Sequence, residues 1–125
     1  MLTINAQEKS GTKWQKIIDA ISQVESRGNA KAYNPNGDCV GLLQITQTCV
    51  KEANAILKQK GIDNRFSLDD RWDAEKSKEM FILIQEKYNL EGDLVKACRV
   101  WNEGPNYNKN IKTTSYVKKV MNVMK

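Results

Sequence analysis

Histidine is absent from this chain. That excludes Ser-His-Asp and Cys-His nucleophiles in their usual forms, and with them the common zinc hydrolase sites, which lean on His ligands. Cysteine is scarce, with Cys39, Cys49 and Cys98 the only three. Their spacing fits no metal motif, and an odd number cannot close a complete disulfide framework. Cys98 lies in an apolar helical pattern, where a thiol behaves as a small buried hydrophobe; a Cys39–Cys49 bridge stays open as an alternative. No metal and no cofactor are expected.

Long apolar runs are missing too. The longest, Met80 to Ile84, is far too short to span a bilayer, so no membrane span is expected. The N-terminus lacks a basic region followed by an apolar stretch, so no signal peptide is visible. Such a chain could be cytoplasmic as made, trimmed from a longer one, or a phage product released by another route. Runs of one charge are equally scarce. The net charge is +5 and the pI near 9.1, yet no basic run exceeds the Lys118–Lys119 pair. The balance favours polyanions in general, whether nucleic acid, an anionic membrane or a wall rich in carboxylates and phosphates. A solvated surface with a modest positive bias is the plainer alternative. In "DDRWDAEKSKE" acids interleave with bases, unlike the one-sided basic helix of a nucleic-acid binder, so no nucleic-acid partner is expected.

What remains is ordinary for a globular protein: 125 residues, 40% hydrophobic and 28% charged. That is enough for one domain with a real core and too little for two. The pattern is helical nearly throughout. Trp14, Ile18, Ile21 and Glu25 recur at spacings of four, three and four, a single stripe on one helix face. Gly28 and the polar residues after it stop that helix. Thr46 or Thr48 can cap the next, which carries Val50, Ala53 and Leu57 inward and ends at Gly61. A third helix begins around Asp70 to Asp73 and gathers Phe81, Ile84 and Tyr88. Asp93 caps a fourth, with Leu94, Ala97, Cys98 and Trp101 on one face. Thr113 or Thr114 opens the last, with Val117, Val120 and Val123 or Met124 inside. Strand signals are weak, at most a short extended passage in "CVGLLQI" after Gly37. The fold expected is mainly α.

Glu25 stands out on its stripe. Apolar surroundings and the negative end of the helix dipole both disfavour its ionised form and raise its pKa. A carboxylic acid kept protonated near neutral pH is what acid-catalysed cleavage of a glycosidic bond needs. The stripe alone also permits a Glu that merely faces solvent at a frayed helix end.

The segment "VESRGNAKAYNPNGDCVGLLQIT" resembles the first motif of the transglycosylase SLT family, a branch of the lysozyme-like superfamily. Glu25 and Ser26 match its Glu-Ser pair. Asn29, Ala32, Pro35 and Gly37 match its polar loop. Gly41, Leu42, Gln44 and Ile45 match its Gly-Leu-x-Gln segment, with Leu43 where Met is common. "VWNEGPN", residues 100 to 106, is similar to the family's Ala-Tyr-Asn-Ala-Gly-Pro segment, with Trp101 for Tyr and Glu103 for a small residue. "TTSYVKKV", residues 113 to 120, is similar to its Glu-Thr-x-x-Tyr-Val segment. The motifs stand in the family's order across residues 14 to 121.

The resemblance implies one lysozyme-like helical domain with a substrate cleft and little or no β, spanning residues 1–125. It implies cleavage of the β-1,4 bond between N-acetylmuramic acid and N-acetylglucosamine in peptidoglycan glycan strands, by a monomer acting on the cell wall. Glu25 would be the single acid/base, giving 1,6-anhydro ends. Ser26 would orient it or the substrate, and Gln44, Asn102 and Tyr116 would line the cleft or hold Glu25. Simple core packing is the alternative role for Trp101 and Tyr116. Two departures matter. The loop before Gly41 is one residue longer than the family pattern, with Asp38 as the extra group. Glu103 adds an acid where the family is neutral. Each is a candidate second carboxylate, as a hydrolysing muramidase requires, so lyase and hydrolase outcomes both stay open. A wall-binding module without catalysis is the third reading, although it has no need of the acid.

Overall fold

The computed structural model describes residues 2–111 and 113–125, with side chains from Lys13 onward. Its elements run α1 (Leu2–Ser26), β1 (Tyr33–Asn34), β2 (Cys39–Val40), α2 (Gln47–Gln59), a 3-10 turn (Leu68–Trp72), α3 (Ala74–Tyr88), α4 (Leu94–Glu103) and α5 (Ser115–Val123). The chain is mainly helical, and the only sheet among the described residues is one antiparallel pair, Tyr33 opposite Val40 and Asn34 opposite Cys39. Among the described residues, no helix is long and apolar enough to cross a membrane.

The helices begin where side chains can accept the free N–H groups of a first turn. Thr46 accepts from Cys49 N, Asp73 from Lys76 N, Asp93 from Lys96 N and Thr114 from Val117 N. Of the alternatives in the sequence, Thr46 rather than Thr48 caps α2, and Thr114 rather than Thr113 caps α5. Asp70 belongs to the preceding 3-10 turn, where it completes a capping box with Ser67. After Gln59, the N–H groups of Gly61 and Ile62 return to Lys58 O and Leu57 O and close α2.

The core gathers Trp14, Ile18 and Ile21 of α1, Leu43 and Ile45 of the connecting turn, and Val50, Ala53 and Ile56 of α2. Met80 and Phe81 of α3, Ala97 and Cys98 of α4, and Val117 and Val120 of α5 complete it. The edge of Trp14 meets Phe81 at 6.2 Å between ring centroids, and Phe81 meets Trp101 at 4.8 Å. The inward pattern fails at the end of α5. Val123 is 43% and Met124 40% exposed, because the helix runs out at Val123 and packs through Tyr116, Val117 and Val120 nearer its start.

One polar knot positions the turn that follows β2. Arg71 is buried, and its Nη1 donates to Asp38 O at 3.0 Å, Asp38 Oδ2 at 3.2 Å and Ile45 O at 3.3 Å. Gly41 lies against this knot with φ +83°, and a Cβ there would sit 2.0 Å from Arg71 O. Only glycine fits so close an approach. The 3-10 turn thus clamps the Gly41–Gln44 turn from behind.

Candidate active site

A cleft of about 610 Å³ runs between α1, the hairpin, α2 and α4. Glu25, one residue before the end of α1, stands in its wall, with Gln44, Ile45 and Thr46 from the connecting turn beside it. Thr48, Cys49 and Glu52 of α2 form another wall, and Val100 to Glu103 of α4, with Gly104 and Pro105, a third.

The Glu25 carboxyl is half-buried, and its hydrogen-bond partner among the described residues is neutral: Tyr116 Oη donates to Oε2 at 2.8 Å. Burial holds the carboxyl above its ordinary range, and the Tyr116 hydrogen bond offsets part of that rise. The direction agrees with the stripe argument. Tyr116 is itself pushed up, first by burial and then by the charge on Glu25, so it stays a hydroxyl donor at any working pH.

Ser26 does not share that contact. Its Oγ lies 2.7 Å from Leu42 O and 3.1 Å from Ser22 O and accepts from Asn29 N. The hydroxyl ties the end of α1 to the Gly41–Gln44 turn, and so fixes where Glu25 leaves the helix. Gln44 holds a left-handed φ of +53°, uncommon outside glycine. Its Nε2 donates to Gly41 O at 3.0 Å and Ala32 O at 3.3 Å, while its amide oxygen accepts nothing among the described residues. Asn102 is exposed in the cleft wall, with no side-chain hydrogen bond among the described residues. Trp101 both packs on Phe81 and lines the cleft, and its Nε1 donates to Leu43 O at 3.1 Å. Core packing and cleft wall are one role for this side chain.

The two candidate second carboxylates are placed differently. Asp38, with φ +50°, is not among the residues lining the cleft. Hydrogen bonds from Gln47 and Tyr33, and then the Arg71 guanidinium, hold its carboxyl below the ordinary range. Glu103 does line the cleft, but both its oxygens meet the buried Arg99, through Nε and, at 3.3 Å, Nη2. Arg99 also donates to Asn108 O and Ile111 O and stacks over Tyr107 at 4.7 Å. It thereby holds the loop that carries the cleft rim.

The motifs pass over Glu52, a further acid in the cleft. Tyr88 Oη donates to its Oε1 at 2.6 Å, and Lys87 Nζ stands 3.4 Å from the same oxygen. A signal for it existed. The apolar face of α2 includes Ile56 as well as Val50, Ala53 and Leu57, and Glu52 lies four residues before Ile56 at that face's edge.

The cysteines are free. Cys39 and Cys49 both line the cleft, unbridged. Burial pushes Cys49 up to about 12 and Cys98 up to about 11, and burial with the charge on Glu25 raises Cys39, so all three remain thiols and poor nucleophiles. Among the described residues, no group of three or more acidic or thiol side chains converges as a metal site.

Comparison with known proteins adds one finding. A family profile described as the Transglycosylase SLT domain matches residues 2–123, nearly the whole chain. No curated protein matches the chain.

Proposed function

This chain belongs to the transglycosylase SLT family, whose members act on peptidoglycan, and on that premise we propose that it cuts the MurNAc–GlcNAc β-1,4 bond with Glu25 as its single acid/base. The observation that carries the reading is a half-buried carboxyl in the cleft whose partner is a neutral phenol rather than a cation. Such a group keeps its proton to a higher pH than a paired one.

In the first step Glu25 gives its proton to the glycosidic oxygen as the bond from that oxygen to the muramic anomeric carbon breaks. The carboxylate left behind gains strength from the Tyr116 hydrogen bond, which is charge-assisted only once Glu25 ionises. In the second step the muramic 6-hydroxyl attacks the anomeric carbon, and its proton returns to Glu25. The product end is 1,6-anhydromuramic acid, no water is consumed, and the enzyme regains its starting protonation. Gln44 and Asn102 offer the sugar an amide oxygen and a whole carboxamide not engaged elsewhere. Ser26 acts as a positioning residue through the backbone, not on the sugar.

The hydrolytic alternative has one observation in its favour, that Glu103 lines the same cleft as Glu25. Its pairing with Arg99 weighs against it as a base or nucleophile, and the pairing of Asp38 with Arg71 outside the cleft does the same. The test is mass spectrometry of muropeptides released from purified sacculi. Anhydro ends lack the one water that reducing ends carry, and reducing ends from the wild type would refute the lyase reading. Glu25→Gln should lose a proton-transfer contribution of roughly a hundredfold to ten-thousandfold; a Gln variant that clears walls at the wild-type rate would refute the assignment.

A further inference from the structure

Glu52 sits apart from the reacting end of the cleft. From the cap residue Thr46 to Glu52 the helix rises about 9 Å, so α2 carries the cleft wall well beyond the turn that holds Gln44. One oxygen of Glu52 takes both contacts from below, the Tyr88 hydroxyl at 2.6 Å and Lys87 Nζ at 3.4 Å. The other, Oε2, accepts no hydrogen bond among the described residues. Lys87 is steadied by the face of Tyr88, 5.1 Å from Nζ to the ring centroid. The side chains of Lys87 and Glu52 are 34% and 32% exposed, open enough to meet a ligand. Cys49 and Ile84 make the neighbouring wall apolar.

The two charges decide what fits. A lone ammonium near Glu52 would feel the repulsion of Lys87, and a lone carboxylate near Lys87 that of Glu52. A group carrying both charges on one carbon satisfies both at once, its ammonium on Glu52 Oε2 and its carboxylate on Lys87 Nζ. We propose that Glu52 and Lys87, braced by Tyr88, form a subsite for a zwitterionic amino-acid end, of the kind that a diamino acid in an uncrosslinked peptide stem presents. This rests on the reading of the cleft as a peptidoglycan site. The subsite selects glycan strands whose stems are free, and leaves the bond-breaking step to Glu25.

The test compares disaccharide-peptide oligomers bearing a free diamino-acid end with the same oligomers after acetylation of the amine. Acetylation breaks the one half-exposed pair between the ammonium and Glu52 and should lower kcat/KM by up to about fivefold, through KM. Glu52→Gln should bring the ratio of free to acetylated substrate close to one, whereas Lys87→Gln should raise KM for both substrates and leave that ratio above one, with thermal denaturation to show that each variant is folded. A Glu52→Gln variant that keeps the wild-type ratio would overturn the subsite. A wild-type enzyme that cuts both substrates equally well would overturn the subsite, needs no variant, and leaves the glycan-cleaving reading standing. A wild type that cuts neither brings down that reading and the subsite together. Stem-free glycan with de-N-acetylated glucosamine provides the last arm. Faster cleavage there that Glu52→Gln abolishes would mean that the acid binds a sugar ammonium, and the amino-acid assignment would be wrong.

Discussion

Replacing Tyr116 by Phe removes one hydroxyl and leaves the ring that packs beside Val117 and Val120. The lost group is the donor 2.8 Å from Glu25 Oε2. A hydrogen bond to a charged acceptor contributes about 1.5–3 kcal/mol, and here the acceptor becomes charged as the proton leaves for the sugar. The bond is therefore worth more in the transition state than in the resting enzyme. With about 1.4 kcal/mol per tenfold in rate, kcat at the optimum should fall by roughly tenfold to a hundredfold.

The pH profile distinguishes this account from a simple packing defect. The Tyr116 bond lowers the Glu25 pKa against the upward push of burial. Without it the carboxyl holds its proton to a higher pH. Cleavage that needs protonated Glu25 is lost as pH rises through that pKa, so the alkaline limb of kcat/KM should move to higher pH in Tyr116→Phe. Turbidity loss of purified sacculi across a pH series measures both effects. A rate drop with an unmoved limb would reduce Tyr116 to packing, and a limb that moves to lower pH would refute the electrostatic reasoning.

Other consequences follow from the same geometry. Burial lifts the folded pKa of Glu25 above the ordinary carboxyl value, so its contribution to stability is complete below that ordinary value and is lost as pH rises through the folded pKa. Glu25→Gln should therefore match the wild-type Tm near pH 4 and exceed it at neutral pH; a Tm difference independent of pH would contradict this. Gly41→Ala drives a Cβ to 2.0 Å from Arg71 O at φ +83° and should cost about 3 kcal/mol or more in urea denaturation, whereas Gly28→Ala, with open space around it, should cost only about 1 kcal/mol. Replacing Cys39, Cys49 and Cys98 together by Ala should leave activity within severalfold and lower stability by about 1 kcal/mol, mostly at the buried Cys98; complete loss in a folded variant would give a thiol a role in the reaction. Binding to sacculi should weaken with salt, because a chain of net charge +5 meets an anionic polymer whose attraction is screened over about 8–10 Å at physiological ionic strength, and a flat salt response in a pelleting assay would leave sugar contacts alone to hold the wall.

Local physics was legible in the sequence, and distant pairing was not. Thr46, Asp73, Asp93 and Thr114 cap helices because a short oxygen-bearing side chain reaches only its own first turn. The stripe through Trp14, Ile18 and Ile21 follows from helix periodicity. The inward placement of Val123 and Met124 failed because periodicity says which face points inward, not where the neighbouring layer ends. The Tyr116–Glu25 contact joins residues 91 positions apart, a distance no spacing rule covers, and only the family resemblance put both side chains in one cleft. The Arg71–Asp38 contact spans 33 positions and is equally beyond local reasoning. The Arg99–Glu103 pair is different. At i, i+4 on one helix it is a readable ion pair, and reading it would have weakened Glu103 as a second catalytic carboxylate from the outset.

The partners of the cleft acids also bear on why one acid would suffice. Glu25, Glu52 and Glu103 all line the cleft. Glu103 is matched by buried Arg99 and Glu52 by Lys87, so each has a cation beside it. Glu25 has a phenol. Burying a carboxyl without a counter-charge costs stability when it ionises, and a chain under selection for stability alone would supply a cation there, as it does for the other two. Supplying one would also lower the pKa and remove the proton that must reach the glycosidic oxygen. Among the described residues, the contrast between a phenol at Glu25 and a cation at each of its two acidic neighbours is what separates a group arranged to give up and recover a proton from groups held in ion pairs. A lysine or arginine introduced at Asn102, in the same cleft wall, therefore carries a sharp expectation. It should stabilise the fold at neutral pH while pulling the alkaline limb of the activity profile to lower pH, and stabilisation without that shift would mean that the charge never reaches Glu25.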